Sequence, residues 1–212
     1  LSTIITNGTS SKDNRKVMSI ADKLIKPALG IYPEEAIALT EEDFEEELSW
    51  IKKQKPAAIG EIGLDSTYPK IEKQKQRFIA QLELAKSLKI PAIIHSRKAE
   101  SRILEVLKDL DTKKAVLHCF CGKLKLLDEA TRYKFSIPAN IGYSTHFQEM
   151  VKRLSNNQLL TETDAPYLGP VKTQRNEPKN VVFAVKKIAQ LKGLTEEDMK
   201  NVLFQNYQAL FL

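Results

Sequence analysis

Three histidines occur in the 212 residues, and two of them, His95 and His118, close short apolar runs: PAIIHSR from Pro91 and AVLHCF from Ala115. Glu61 lies in a third run, AAIGEIGLD from Ala57, and Asp164 in a fourth, LLTETDAP from Leu159. Runs this short and this rich in β-branched residues read as buried parallel strands. A histidine ending such a strand is commonly a hydrogen-bonded core residue, but a cluster of inward polar groups without partners would cost several kcal/mol. A metal removes that cost. Two carboxylates and two imidazoles converging on one cavity make a nitrogen-and-oxygen donor set suited to Mg²⁺, Mn²⁺ or Zn²⁺. Glu61 and Asp164 are then the candidate catalytic carboxylates, and Asp164 could also accept the proton of a metal-activated water.

Residues around these four admit two roles each. Arg97, two places after His95, is set either to grip a phosphate with its forked donors or to hold the strand end by a salt bridge. Asp65, at the end of GEIGLD, either joins the site or structures the following loop. The segment TQRNEPKN from Thr173 carries Arg175, a candidate substrate-binding residue, in a loop that could equally be ion-paired to the mouth of the fold; Pro178 there suits a helix start.

Positioning four such residues requires strands that all end on one side. Seven apolar runs alternate with amphipathic stretches: IITNG from Ile4, KPALGIYP from Lys26, the runs from Ala57, Pro91 and Ala115, KFSIPAN from Lys134, and the run from Leu159. Helical spacing marks the segments from Glu41, Glu72 and Ala99, with Thr40 as a cap, and a closing pair over 179–192 and 195–211. Polar residues at or near the C-terminal ends of four different strands favour a TIM (β/α) barrel over an open sheet, because that is the face where such barrels build their active sites. The expectation is one domain over 1–212. Seven runs against the eight strands of a complete barrel, in a chain opening on Leu1, lead to the further expectation that a first strand and helix precede residue 1.

Composition adds weaker constraints. A formal charge of +6 favours polyanionic partners such as DNA, although lysines spread along helix faces also fit an ordinary solvated surface. No apolar stretch approaches the roughly eighteen residues of a membrane span, and the N-terminus does not read as a signal peptide, so the expected setting is soluble and cytoplasmic. Cys119 and Cys121 read as reduced packing residues two apart on a buried strand.

Five strings in order, GEIGLD at 60–65, PAIIHSRKAE at 91–100, VLHCFCG at 116–122, TETDAPYL at 161–168 and RNEP at 175–178, resemble the TatD family of metal-dependent hydrolases in the amidohydrolase superfamily. The resemblance implies a TIM-barrel hydrolase, described for the family as a Mg²⁺-dependent DNase. It implies that Glu61 bridges or binds metal, that His95 and His118 bind one metal, and that Asp164 binds a second and helps activate water. Two departures stand out. The family's D-x-H-x-H string, which supplies two further ligands, is absent from the 212 residues, and a two-metal site depends on it. GIYPEEA from Gly30 stands where many members have a His-Pro-His-like string, a feature similar to the archaeal branch.

The expected activity is hydrolysis of a DNA phosphodiester by a metal-activated water, with Arg97 and Arg175 on the substrate. Two alternatives stay open: an ester or amide hydrolase such as an aminoacyl-tRNA deacylase, since the same activated water attacks carbonyl carbon, and a catalytically disabled barrel that binds nucleic acid.

Overall fold

Every one of the seven apolar runs forms a strand in the computed structural model, which describes residues 2–212. Contacts divide the chain into two compact units, one ending at Val116 and one beginning at Leu117.

In the first unit β1 (Ile4–Asn7), β2 (Ile25–Leu29), β3 (Ala58–Asp65) and β4 (Ala92–Arg97) lie side by side in chain order, all parallel. Parallel neighbours need a crossover between them, and helices supply it: α1 (Ser11–Ser19), α2 (Pro33–Ala38) with α3 (Glu41–Gln54), and α4 (Ile71–Leu88); α5 (Glu100–Asp109) follows β4. Ser10 and Thr40 each accept the backbone N–H three residues on, and Pro33 opens α2, so these starts follow directly from local chemistry. Ile59, Ile62, Leu64 and Ile94 are fully buried on β3 and β4.

Buried amides on the helices hold the loops that leave the strands. Asn14 of α1 donates to Gly30 O and accepts from Gly30 N. Gln81 of α4 pairs with both backbone groups of Ile31, and Gln74 accepts from Asp65 N while donating to Asp65 O. Each pair satisfies backbone groups that a strand end leaves without a ladder partner, and so fixes where the next side chains point.

β5 (Ala115–His118) spans the division between the units. The second unit then holds β6 (Lys134–Ile137) parallel to β7 (Leu159–Thr161), with α6 (Thr145–Arg153) between them and α7 (Val181–Lys192) and α8 (Glu196–Phe211) closing the chain. Pro178 begins a single 3-10 turn leading into α7, and Gly193, at φ 66°, ends that helix in the left-handed conformation glycine adopts without strain.

The cysteine pair departs from expectation. β5 stops at His118, Cys119 turns to φ 42°, and Cys121 is exposed, so the two do not share a strand. Neither forms a disulfide, as expected, but Cys121 is exposed rather than buried in the core.

Candidate functional site

Glu61 stands in the middle of β3 between two glycines that have steric reasons to be there. A Cβ on Gly60 would lie 2.7 Å from Ile93 Cβ; one on Gly63, at φ 150°, would lie 2.0 Å from His95 O. The missing side chains let β3 run against β4 and bring Glu61 Oε1 to 3.0 Å from His95 Nδ1.

The other nitrogen of His95, Nε2, lies 3.2 Å from Asp65 Oδ2 and 3.1 Å from the Tyr32 hydroxyl. Asp65 is fully buried at the strand end and accepts from Thr67 N, Thr67 Oγ1 and the Tyr32 hydroxyl. Burial pushes its carboxyl upward, but the hydrogen bonds from Thr67 and the charge of His95 outweigh this and hold it below the usual value. Burial, then the charges of Asp65 and Glu61, push the Tyr32 phenol up, so it stays a donor. Asp65 therefore has both roles left open by the sequence: it structures the loop and orients His95.

The second unit repeats this arrangement. His118 Nδ1 lies 2.6 Å from Glu162 Oε2, which also accepts from Ser136 Oγ, and His118 Nε2 faces Asp164 Oδ1 at 3.6 Å. Burial pushes the Glu162 carboxyl up, opposed by His118 and Ser136, and its Oε1 is buried without a partner. Asp164 adopts φ 55°, a conformation aspartate tolerates better than most residues. Its loop is clipped by Asn176, 2% exposed, whose amide donates to Thr163 O and Tyr167 O while its oxygen accepts from Glu177 N and Asn180 Nδ2.

Glu162, Ser136 and the clip at Asn176 escaped the sequence reading. For Glu162 a signal existed: in TETD the two acids are two apart, a spacing that puts both on one side of an extended chain. Arg97 lies 3.6 Å from Asp65 and is 58% exposed, a salt bridge that leaves the guanidinium accessible. Arg175 is exposed in its loop. His146 Nε2 contacts Phe120 O and so braces the turn after His118. The Cys119 thiol is pushed up by a hydrogen bond with Cys121 and by burial. A cavity of about 910 Å³ in the first unit opens at Ala92, the start of β4, and His95 does not line it.

The sequence-predicted ligands thus come together as two pairs, Glu61 with His95 and His118 with Asp164. Among the described residues no group of three or more His, Cys, Asp and Glu is arranged to hold a metal. The Glu61–His95 pair is nonetheless compatible with one: donors 3.0 Å apart match neighbouring ligands on a divalent ion with bonds of about 2.1 Å. Asn7 Oδ1, at the end of β1, is a buried acceptor without a partner, 3.1 Å from the Cβ position of Gly60. Mg²⁺ commonly takes one or two carboxylates and completes its shell with water and phosphate oxygens, so a sparse protein donor set is compatible with it.

Residues 1–212 match the family described as TatD related DNase. This chain belongs to that family. It is 36% identical to the human protein named deoxyribonuclease TATDN3 over 220 residues, covering 95% of this chain and 80% of the relative. It is also 36% identical to the uncharacterized metal-dependent hydrolase YabD of Bacillus subtilis over 201 residues, 88% of this chain and 77% of that one. The crystal structure of YJJV, a TatD homolog from Escherichia coli K12, superposes with a TM-score of 0.91 at 27% identity, covering 100% of this chain and 86% of the other. TatD membership fixes the fold class as α/β of the TIM-barrel type, as the strand ends implied. No helix among the described residues of this TatD protein is long and apolar enough to cross a membrane.

Proposed function

We propose that this TatD protein is a divalent-metal-dependent deoxyribonuclease that hydrolyses phosphodiester bonds of DNA in the cytoplasm. The observation that carries this reading is the repeated arrangement of its imidazoles: Asp65 fixes one nitrogen of His95 and Glu162 one nitrogen of His118, and each ring turns its other nitrogen to a second carboxylate. A carboxylate behind a histidine is the usual way a protein orients a metal ligand and raises its basicity. The names of the human and Bacillus relatives, a deoxyribonuclease and a metal-dependent hydrolase, support the substrate and the metal.

Glu61 with His95, and His118 with Asp164, would each hold a divalent ion, Mg²⁺ first, with Mn²⁺ or Zn²⁺ as competent replacements. The ion, when bound, polarises the phosphate and lowers the pKa of water. Asp164, at 32% the most exposed of the four side chains, orients the attacking water and takes its proton. As the water oxygen bonds to phosphorus, the ester bond to the departing sugar oxygen breaks, and the proton taken by Asp164 passes, directly or through solvent, to that oxygen. Arg97 and Arg175 contact the phosphate oxygens, to which a planar guanidinium can offer two parallel donors.

The test is metal content per chain together with cleavage of single-stranded DNA in Mg²⁺, before and after chelation, for the wild type and His118→Ala. Metal-dependent cleavage that His118→Ala abolishes while the protein stays folded is the expected result. Wild-type rates in His118→Ala at saturating metal would sink the assignment.

A further inference from the structure

Beyond Asp164 the second unit holds a cavity of about 540 Å³ that the hydrolytic residues do not use, and its lining has the chemistry of a base-binding pocket. Tyr167, three residues past Asp164, is 71% exposed, where an aromatic ring of that size gains little by facing water. Tyr143 is also exposed, and its hydroxyl donates to Gly169 O, which fixes the ring against the loop. Lys172 Nζ stands 5.0 Å from the centre of the Tyr143 ring and brings a positive charge to the rim. Asn140 lines the same cavity, is only 7% exposed, and its Oδ1 is buried without a partner.

We propose that this cavity is a nucleobase subsite: a base of a single strand stacks on Tyr167 and Tyr143 and leaves its phosphate near Lys172. The inference rests on the phosphodiesterase reading and adds to it a requirement for an unpaired base close to the reacting phosphate. Each feature answers one part of a nucleotide. The exposed rings offer a π-face, which every base can use. A duplex, whose bases are stacked on one another, cannot present a face to these rings without opening. The turn from Asp164 O to Tyr167 N, 2.7 Å, ties this wall to the catalytic carboxylate, so the subsite serves a nucleotide adjacent to the cleaved bond.

The experiment separates base recognition from hydrolysis by measuring binding under chelation, where no turnover occurs. Fluorescence anisotropy of a labelled single-stranded oligonucleotide is recorded with the wild type, Tyr167→Ala and Tyr167→Phe, and repeated with abasic sites placed at one position at a time. Tyr167→Ala is expected to weaken binding roughly 5- to 100-fold, the range for losing one stacked base, while Tyr167→Phe stays near the wild type. One abasic position should cost the wild type a similar factor and cost Tyr167→Ala nothing more. Unchanged binding by Tyr167→Ala, independent multiplication of the two losses at every position, or no binding by the wild type would overturn the subsite. Binding that follows the expected pattern without any Mg²⁺-dependent cleavage would leave the subsite standing and refute the deoxyribonuclease reading.

Discussion

Glu162→Gln tests whether His118 works as an oriented ligand. In the wild type Glu162 Oε2 receives both His118 Nδ1, at 2.6 Å, and Ser136 Oγ. The glutamine oxygen can replace Oε2 in shape, but the bond to His118 loses its charge. A hydrogen bond to a charged group contributes about 1.5–3 kcal/mol and a neutral one about 0.5–1.5. The difference, about 1–1.5 kcal/mol in holding the ring and its basicity, corresponds to a roughly tenfold change in equilibrium at about 1.4 kcal/mol per decade. The expected result is a roughly tenfold rise in the Mg²⁺ concentration that half-saturates cleavage of single-stranded DNA, matched by a similar loss of Mn²⁺ affinity in calorimetry. Folding should be little affected, because burial already disfavours the Glu162 charge, and a melting curve checks this. A folded Glu162→Gln protein with unchanged metal affinity and rate would refute the idea that this carboxylate positions His118.

Three other perturbations follow from the geometry. Asn176→Ala removes four hydrogen bonds from a buried amide and should cost about 3 kcal/mol in urea denaturation, with slower turnover as the Asp164 loop loosens. Gly63→Ala places a methyl 2.0 Å from His95 O at a φ other residues avoid, and should destabilise the protein by about 3 kcal/mol or more, read as a fall in melting temperature or in soluble yield. Mg²⁺ at about a hundred times its dissociation constant should stabilise the folded protein by about 2.7 kcal/mol, a shift in melting temperature that chelator reverses and His118→Ala abolishes.

The strands and the candidate ligands were legible because the physics that makes them is local. A strand buried on both faces must be apolar throughout, so Glu61, His95 and His118 interrupt their runs visibly, while Asp164 follows three residues after β7 ends at Thr161. Short helices carry far less signal: α1 reads SKDNRKVMS, almost wholly polar, and its existence depends on the Ser10 cap and on Asn14 packing against Gly30. The left-handed turn at Cys119 has no marker in residue type, since neither Gly nor Asn stands there, and it is this turn that takes the cysteines off the strand. Asn176 lies in a polar loop where an asparagine ordinarily faces water. That it turns inward is decided by the carbonyls of Thr163 and Tyr167, which need a donor once the loop folds over them.

The Asn176 clip also bears on how such a protein can change. One side chain joins both ends of the loop, so residues 168–175 form a closed excursion whose base is held whatever its tip contains. Loop-closure entropy grows slowly with length, so exchanges or insertions there leave the position of Asp164 largely untouched. New substrate preferences can thus be tried on the excursion while the hydrolytic carboxylate stays in place, which makes 168–175 the segment in which to graft loops from other TatD proteins.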